Sequence, residues 1–271
     1  MDRIIVFALK IYTEVKKDDL FSAANTLTYK MLLSLFPFVL ILMSMLSYFE
    51  IDPNYLISSL KGSLPDGIMD VVIPFIIDLT QIKRPSILSV SIVFLLYSAS
   101  GGFNTVMQGI NKAYGQKDSR NFLHRRLVSV ILLIFFIISI VFSLVMLIFS
   151  DNIYHIVKEY FHNSEALDII FSFVGYMLTV GVFLICVMAI NSLALARKKR
   201  PSELFPGSCF TVVCWVVLSW AFNIYVNNFS RYSTLYGSVA GIMLLMMWLN
   251  LICIFLLIGS EINALLSQSS D

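Results

Sequence analysis

Charged residues are scarce in this sequence, and their scarcity excludes an ordinary soluble domain. Only 13% of the 271 residues are Asp, Glu, Lys or Arg, whereas 58% are hydrophobic. A soluble globular domain carries about twice that charged fraction. The apolar runs between the few charges are long enough to cross a bilayer as helices. The composition therefore predicts an all-α, polytopic membrane protein.

Residues that supply catalytic or metal-binding chemistry are also few. The four cysteines fall in apolar runs without a CxxC pair, so we interpret them as small apolar residues of helices. The sequence contains no P-loop, GxSxG or HExxH motif. His155, Glu159 and His162 would share a helical face, but a polar outer-loop helix explains them better than a metal site. We accordingly expect no enzyme activity, catalytic residue, metal or cofactor.

Six apolar segments reach the roughly 20 residues that a spanning helix needs. They lie near 23–49, 87–110, 127–149, 169–195, 207–228 and 236–264, within a single predicted membrane domain of residues 1–271. Before the first span, charges interrupt the chain every few positions, which predicts an amphipathic surface helix and no cleavable signal peptide. Its apolar side carries Ile4, Ile5, Ala8, Ile11, Tyr12 and Val15. Residues 50–86 predict two short amphipathic helices in the first outer loop.

The distribution of Lys and Arg predicts the orientation of the chain. Thirteen of them fall before the first span, between the second and third, or between the fourth and fifth, and five fall on the other side. Basic residues are retained in the cytoplasm. Both termini are therefore expected in the cytoplasm, which agrees with an even number of spans.

The second span gathers small and polar residues on one side of a helix, at about 100° per residue. That side holds Ser91, Ser98, Gly101, Gly102, Thr105, Gly109 and Lys112. The opposite side holds Leu96, Phe103, Met107 and Ile110, which we expect to face lipid. The small face could line a substrate path, or it could let neighbouring helices pack closely.

Other polar residues inside the spans leave similar alternatives open. Asn223 and Asn227 of the fifth span could bond another helix or line a hydrated path. In the sixth span Gly237 and Gly241 form a GxxxG packing signal that Gly259 continues. Asn250 and Glu261 lie on a different face of that span.

Charge within the spans is limited to a few positions. Glu261 is expected near the cytoplasmic end of the last span, where a pairing carboxylate is favoured over a proton carrier. Lys30 lies inside the first span and could extend to the interface or pair with Glu261. Pro37 is expected to kink the same helix.

Three longer stretches carry a resemblance to a known family: AANTLTYKMLLSLFPFVLIL, SASGGFNTVMQGINKAYG and YGSVAGIMLLMMWLNLICIFLLIGSEINALL. They resemble the YihY/virulence factor BrkB family, formerly labelled ribonuclease BN-like. The resemblance implies a six-span protein of the bacterial inner membrane with a role in transport or export. It marks Tyr29, Pro37, Ser100, Gly101, Gly102, Asn111, Tyr114, Tyr236, Gly237, Gly241, Trp248, Gly259, Glu261 and Asn263. Lys30 departs from the uncharged residue usual at its position.

These observations predict a transporter or exporter of a lipid-like or amphipathic substrate. The substrate-path candidates are Tyr29, Lys30, Ser98, Gly101, Gly102, Thr105, Asn111, Asn223, Asn227, Asn250 and Glu261. Pro37, Gly237, Gly241 and Gly259 are assigned to helix packing. The expected partners are membrane lipids, with a homo-oligomer left open and no nucleic acid. The alternatives are a membrane scaffold and an ion- or proton-coupled carrier of small solutes; nuclease activity is disfavoured.

Overall fold

The computed structural model describes residues 2–48, 85–139, 165–228 and 238–268, and the single positions 54, 57, 73 and 77. The helices are α1 (Asp2–Lys17), α2 (Leu20–Tyr48), α3 (Pro85–Ala113), α4 (described over Phe122–Ser139), α5 (Glu165–Ala194), α6 (Pro201–Asn228) and α7 (Ser238–Gln268). No strand occurs within these residues. The predicted all-helical class is confirmed.

Five of these helices, α3 to α7, are long and apolar enough to cross a membrane. They correspond to the second to sixth predicted spans, so a polytopic helical membrane protein is confirmed. The first predicted span coincides with α2, which is not among the five, so the count of six remains a prediction. Helix α2 continues through Pro37, a buried residue.

The predicted N-terminal helix is present as α1. Val15 of its apolar side is buried, whereas Ile5 and Tyr12 are exposed. The amphipathic helices expected within residues 50–86 fall almost entirely outside the described residues. The stretch containing His155, Glu159 and His162 also lies outside them.

The chain divides into two compact units, each with its own apolar core. The first unit comprises Met1–Asp18, Met107–Cys214 and Leu256–Asp271, and the second comprises Asp19–Val106 and Trp215–Phe255. Helices α3, α6 and α7 each contribute one part to each unit. In the second unit, Leu27, Ala24 and Leu95 are buried.

The core of the first unit corrects one expectation about α3. Met107 and Ile110 were expected to face lipid, but both are fully buried. This end of α3 is enclosed from two sides. A Cβ added at Gly109 would lie 2.9 Å from Leu257 of α7, while Ser129 of α4 lies 3.5 Å from the sulfur of Met107. On the outer half of the same side, Leu96 is exposed as expected.

Local signals in the sequence end α3 and begin α6. After α3, Gly115 adopts a φ of +62°, its N–H bonds the carbonyl of Lys112, and the N–H of Gln116 bonds the carbonyl of Asn111. This is a Schellman C-cap, which favours glycine at the left-handed position. At the start of α6, a Glu203 carboxylate oxygen accepts a bond from the backbone N–H of Arg200 at 3.1 Å. Pro201 occupies the first helical position, where its missing N–H costs nothing.

Candidate functional site

Lys30 makes a polar contact in the second unit in which a charged side chain of α2 bonds neutral oxygens of α3. Its ammonium group donates to the carbonyl oxygen of Gly101 at 3.2 Å and to the hydroxyl oxygen of Thr105 at 2.6 Å. The Thr105 hydroxyl in turn donates to the Gly101 carbonyl at 3.2 Å. A cation of α2 is thereby fixed against two neutral oxygens of α3. Glu261, which the sequence suggested as a partner, is not among the residues that bond to Lys30.

The glycines of α3 make room for this lysine. A Cβ added at Gly102 would lie 3.6 Å from the Leu27 side chain and 3.7 Å from the Cβ of Lys30. At Gly101 an added Cβ would lie 4.0 Å from the lysine stem. Bulkier residues at these positions would separate α2 from α3, since the gaps already match ordinary van der Waals contact. The small face of α3 therefore serves helix packing and exposes a backbone carbonyl to the ammonium group.

The positions of its two partners along α3 place the charge of Lys30 inside the predicted membrane layer. Thr105 and Gly101 precede Lys112 by seven and eleven residues, or roughly 10 and 16 Å along the helix axis at about 1.5 Å per residue. Lys112 lies in the last turn of α3, just beyond the predicted second span of 87–110, so the ammonium group is expected well inside a hydrocarbon layer of about 30 Å. Charges at such depth mark substrate or ion paths more often than packing contacts.

No carboxylate among the described residues bonds to Lys30. Its two bonded partners among the described residues are both neutral. Lys30 is half-buried, so one side of the ammonium group remains reachable. The arrangement therefore holds a positive charge that this part of the chain does not neutralise.

Asn250 of α7 makes a second polar contact in the same unit. Its amide nitrogen donates to Asn25 at 2.8 Å and to the Thr28 hydroxyl at 3.1 Å. Thr28 also donates to the carbonyl of Ala24 at 2.7 Å. Asn250 could pack against another helix or line a substrate path. These bonds favour packing, because the amide nitrogen donates to side chains of α2.

The remaining candidates of the second unit are dispersed. Tyr29 is 59% exposed, and Ser98 donates to the carbonyl of Phe94 in its own helix at 2.8 Å. Asn223 is exposed, and the side chain of Asn227 lies outside the described residues. Trp248 stacks at a tilt on Phe222, with ring centroids 6.1 Å apart. Among the substrate-path candidates of this unit whose side chains are described, Gly101 and Thr105 bond Lys30, and Gly102 lies beside it.

Asn111, another substrate-path candidate, lies in the first unit and holds the end of α5. Its amide nitrogen donates to the carbonyl of Ala194 at 2.8 Å, and its oxygen accepts from the N–H of Ala196 at 2.7 Å. The same nitrogen donates to the carbonyl of Met107 at 2.7 Å. All of these partners are backbone atoms, so the geometry supplies a helix-end clamp.

Glu261 is buried in the first unit with one carboxylate oxygen, Oε2, that has no hydrogen-bond partner among the described residues. The charges of Glu14, Lys17 and Asp18 act on it. The phenol oxygen of Tyr114 is likewise buried without a described partner. Burial raises the pKa of Tyr114, and the carboxylates of Glu203 and Glu261 act in the same direction. With Asp118 Oδ2 and Arg125 Nε, they are four buried side-chain atoms of the first unit without a partner among the described residues.

The packing role assigned to Gly259 has a clear geometric basis. An added Cβ would lie 2.5 Å from the backbone oxygen of Gly207 and closer still to the Thr211 hydroxyl. Beside this contact, Asn263 accepts from the N–H of Gly207 at 2.6 Å and donates to the carbonyl of Leu204 at 2.8 Å. By contrast, no described atom lies within 4 Å of a Cβ added at Gly241. Gly237 and Tyr236 lie outside the described residues, and Ser100 bonds within its own helix.

Several residues that make these contacts were not singled out from the sequence. They are Asn25, Thr28, Gln116, Arg120, Asn191, Gly207 and Ser260. The buried Asn191 accepts from Ser260 at 2.7 Å, and an amide in the apolar run VMAINSLA was a usable signal, since buried amides need partners. Gly207 gave no such signal, because its role depends on a helix distant in sequence.

Comparison with known proteins places the chain in a family. The family profile described as Virulence factor BrkB matches residues 11–271. The chain belongs to this family. The BrkB profile covers every helix from the second half of α1 onward, including Lys30, Asn111 and Glu261.

Relatives of this BrkB-family chain cover nearly its whole length. The ribonuclease-like protein YfkH of Bacillus subtilis (strain 168) is 29% identical over 247 residues, which is 91% of this chain and 90% of the relative. A UPF0761 membrane protein of Mannheimia succiniciproducens is 24% identical over 284 residues, covering 99% and 93%. One from Haemophilus influenzae is 21% identical over 277 residues, covering 98% and 96%. No solved structure gives a significant match.

These relatives establish a family of membrane proteins, and no catalytic function is evident from them. The ribonuclease-like name belongs to the Bacillus protein. Within the described ranges, no three His, Cys, Asp or Glu side chains come together as a metal site would require. The arrangement that the structure offers is a cation and polar groups between membrane helices.

Proposed function

We propose that this BrkB-family protein transports a lipid-like or amphipathic substrate across the bacterial inner membrane. The observation that carries the proposal is Lys30, whose ammonium group bonds Gly101 and Thr105 without a described carboxylate partner. Keeping such a charge inside a membrane bundle costs several kcal/mol if it has no counter-charge. A function that uses the charge explains this cost, and passage of a substrate with a polar end is such a function.

A membrane scaffold is the second candidate, and the packing contacts favour it. Gly207 and Gly259 approach too closely to admit an added Cβ, and the bonds of Asn250 to Asn25 and Thr28 also join two helices. A scaffold needs only such contacts. It gives no reason for an ammonium group at Lys30 that no described carboxylate neutralises, and we therefore rank transport first.

The proposal includes both termini on the cytoplasmic side. Support comes from contacts within the first unit between segments that the charge distribution assigns to that side. Lys112 donates to the carbonyl of Asp18, Arg120 to the carbonyl of Leu193 at 3.3 Å, and Lys199 to Ser267 at 2.6 Å. Segments that bond one another in this way are expected on the same face of the membrane. Membrane lipids are the proposed partners, and we propose no nucleic acid as a partner.

Translocation of fluorescent phospholipids by purified protein in vesicles tests the proposal. Both a phosphatidylglycerol and a phosphatidylcholine probe should be tried, with loss of fluorescence to an impermeant quencher as the measurement. We expect faster translocation of at least one probe than in protein-free vesicles. Gly102→Leu should reduce the rate at least tenfold, because the added side chain would fill the space beside Leu27 and Lys30.

Gly181→Leu is the matched control for this variant. An added Cβ at Gly181 meets no described atom within 4 Å, although the residue lies in a membrane helix like Gly102. This variant should translocate lipid at the wild-type rate. Equal rates in wild-type and protein-free vesicles for both probes would contradict transport and place the scaffold first.

A further inference from the structure

We infer that Lys30 receives the anionic group, a phosphate or carboxylate, at the polar end of the amphipathic substrate. The inference deepens the proposed function and rests on it. It assigns the substrate class from the charge balance and the surroundings of one side chain.

The charge balance is the first step. An ammonium group has three N–H donors, and the structure gives it two acceptors, the Gly101 carbonyl and the Thr105 hydroxyl. These oxygens satisfy hydrogen bonds but carry no net charge. No described carboxylate bonds to Lys30; Glu203, for example, pairs with Lys199 at 3.1 Å within the first unit. A negative charge supplied by a ligand would use the remaining donor and balance the cation.

Access is the second step. Lys30 and Gly101 are both half-buried, so the contact is open on one side. Gly101 presents only its backbone to the lysine: its carbonyl oxygen lies 3.2 Å from the ammonium nitrogen, and an added Cβ would lie 4.0 Å from the lysine stem. A compact oxyanion could approach the ammonium group there without displacing a side chain of α3 at position 101.

The surroundings favour an amphiphile over a free inorganic anion. Large exposed side chains lie one turn from each partner of this contact: Leu33 follows Lys30 by three residues and is 42% exposed, and Tyr97 precedes Gly101 by four residues and is 69% exposed. In a membrane this surface contacts acyl chains. A ligand with an anionic end and an apolar tail would satisfy both the cation and this surface, whereas inorganic phosphate would satisfy only the cation.

Equilibrium binding to the purified full-length protein in neutral detergent tests the inference. The probes are dodecyl phosphate, zwitterionic dodecylphosphocholine and inorganic phosphate. We expect dodecyl phosphate to bind at least tenfold more tightly than the other two. Lys30→Gln should weaken its binding at least tenfold, and Lys30→Arg should retain most of it, because the charge is kept.

Two further variants separate a charge effect from damage to the fold. Thr105→Val removes a neutral acceptor that positions Lys30 and leaves the charge, so it should weaken dodecyl phosphate binding less than Lys30→Gln does. Lys117→Gln removes an exposed lysine outside the spans and should change nothing. If Lys30→Gln does not fold, equal binding of the charged and zwitterionic probes to the wild-type protein would overturn the inference. Equal affinities for inorganic phosphate and dodecyl phosphate would contradict the assignment of an amphipathic ligand.

Failure of this inference is distinguishable from failure of the proposed function. If wild-type protein translocates phospholipids but binds dodecyl phosphate no better than dodecylphosphocholine, transport stands and the anion site is wrong. If it binds dodecyl phosphate through Lys30 but translocates neither phospholipid probe, the anion site stands as a fixed lipid site and transport is wrong.

Discussion

Two glycines of α7 that share the same predicted role have opposite surroundings. Gly259 faces the backbone of Gly207, and an added Cβ would lie 2.5 Å from a carbonyl oxygen. Gly241, the better sequence match to a GxxxG motif, has no described atom within 4 Å of such a Cβ. A backbone atom cannot move aside as the end of a flexible side chain can. The requirement for glycine is therefore strict at Gly259.

Gly259→Ala should destabilise the protein by about 2–3 kcal/mol, the upper part of the range for overpacking. The helices must separate to admit the methyl group, and the bonds of Asn263 to Gly207 and Leu204 would lengthen. Unfolding in mixed micelles, followed by circular dichroism, measures the change.

Gly181→Ala is the control at the residue scale. This glycine lies in α5 with no described atom within 4 Å of an added Cβ. Alanine should leave stability unchanged or raise it by up to about 1 kcal/mol, because it favours helix. Equal losses in the two variants would show that the close approach of Gly259 to Gly207 has no energetic importance.

At the scale of helices, the end of α5 is held by side chains from the last turn of α3 and from the residues just after it. Asn111 bonds the carbonyl of Ala194 and the N–H of Ala196, and Gln116 accepts from the N–H of Arg197 at 3.0 Å. Arg120 adds its positive charge at the same carbonyl end. Helix C-termini leave carbonyls without partners and favour cations, so this segment completes α5.

Asn111→Ala should destabilise the protein by about 2–4 kcal/mol, because it leaves buried backbone groups of α5 unpaired at about 1–3 kcal/mol each. Gln116→Ala removes one bond at an exposed position and should cost about 1 kcal/mol or less. The difference in unfolding free energy between the two variants is the measurement. A smaller loss for Asn111→Ala than for Gln116→Ala would contradict the clamp.

At the scale of the whole molecule, the number of spans decides where the two termini lie. Five helices meet the length and composition of a span, and α2 is the predicted sixth. An even number of spans puts the termini on the same side, and an odd number puts them on opposite sides. The distribution of Lys and Arg favours the cytoplasm for both.

Fusions of a cytoplasm-active fluorescent protein to each terminus of the full chain test this topology. Both fusions should fluoresce, and alkaline phosphatase at the same positions should be inactive, because that enzyme requires the periplasm. Fluorescence at only one terminus would indicate an odd number of spans and exclude α2 as a full span. Western blots of membrane fractions control for expression.

The sequence by itself determined the helices and their class. Apolar runs of about 20 residues, Gly115 after α3 and Pro201 with Glu203 at the start of α6 act locally, so they can be recognised without knowing any neighbour. Periodicity also separated the small side of α3 from its bulky side.

Only the tertiary structure decided which neighbour each side meets. A helical pattern gives direction about its own axis, and it contains no information about which other helix lies in that direction. Hence Met107 is buried and not lipid-facing, Gly259 meets Gly207, and Asn111 binds the end of α5. For the same reason, the sequence showed a charge at Lys30, while the structure showed that Gly101 and Thr105 hold it without neutralising it.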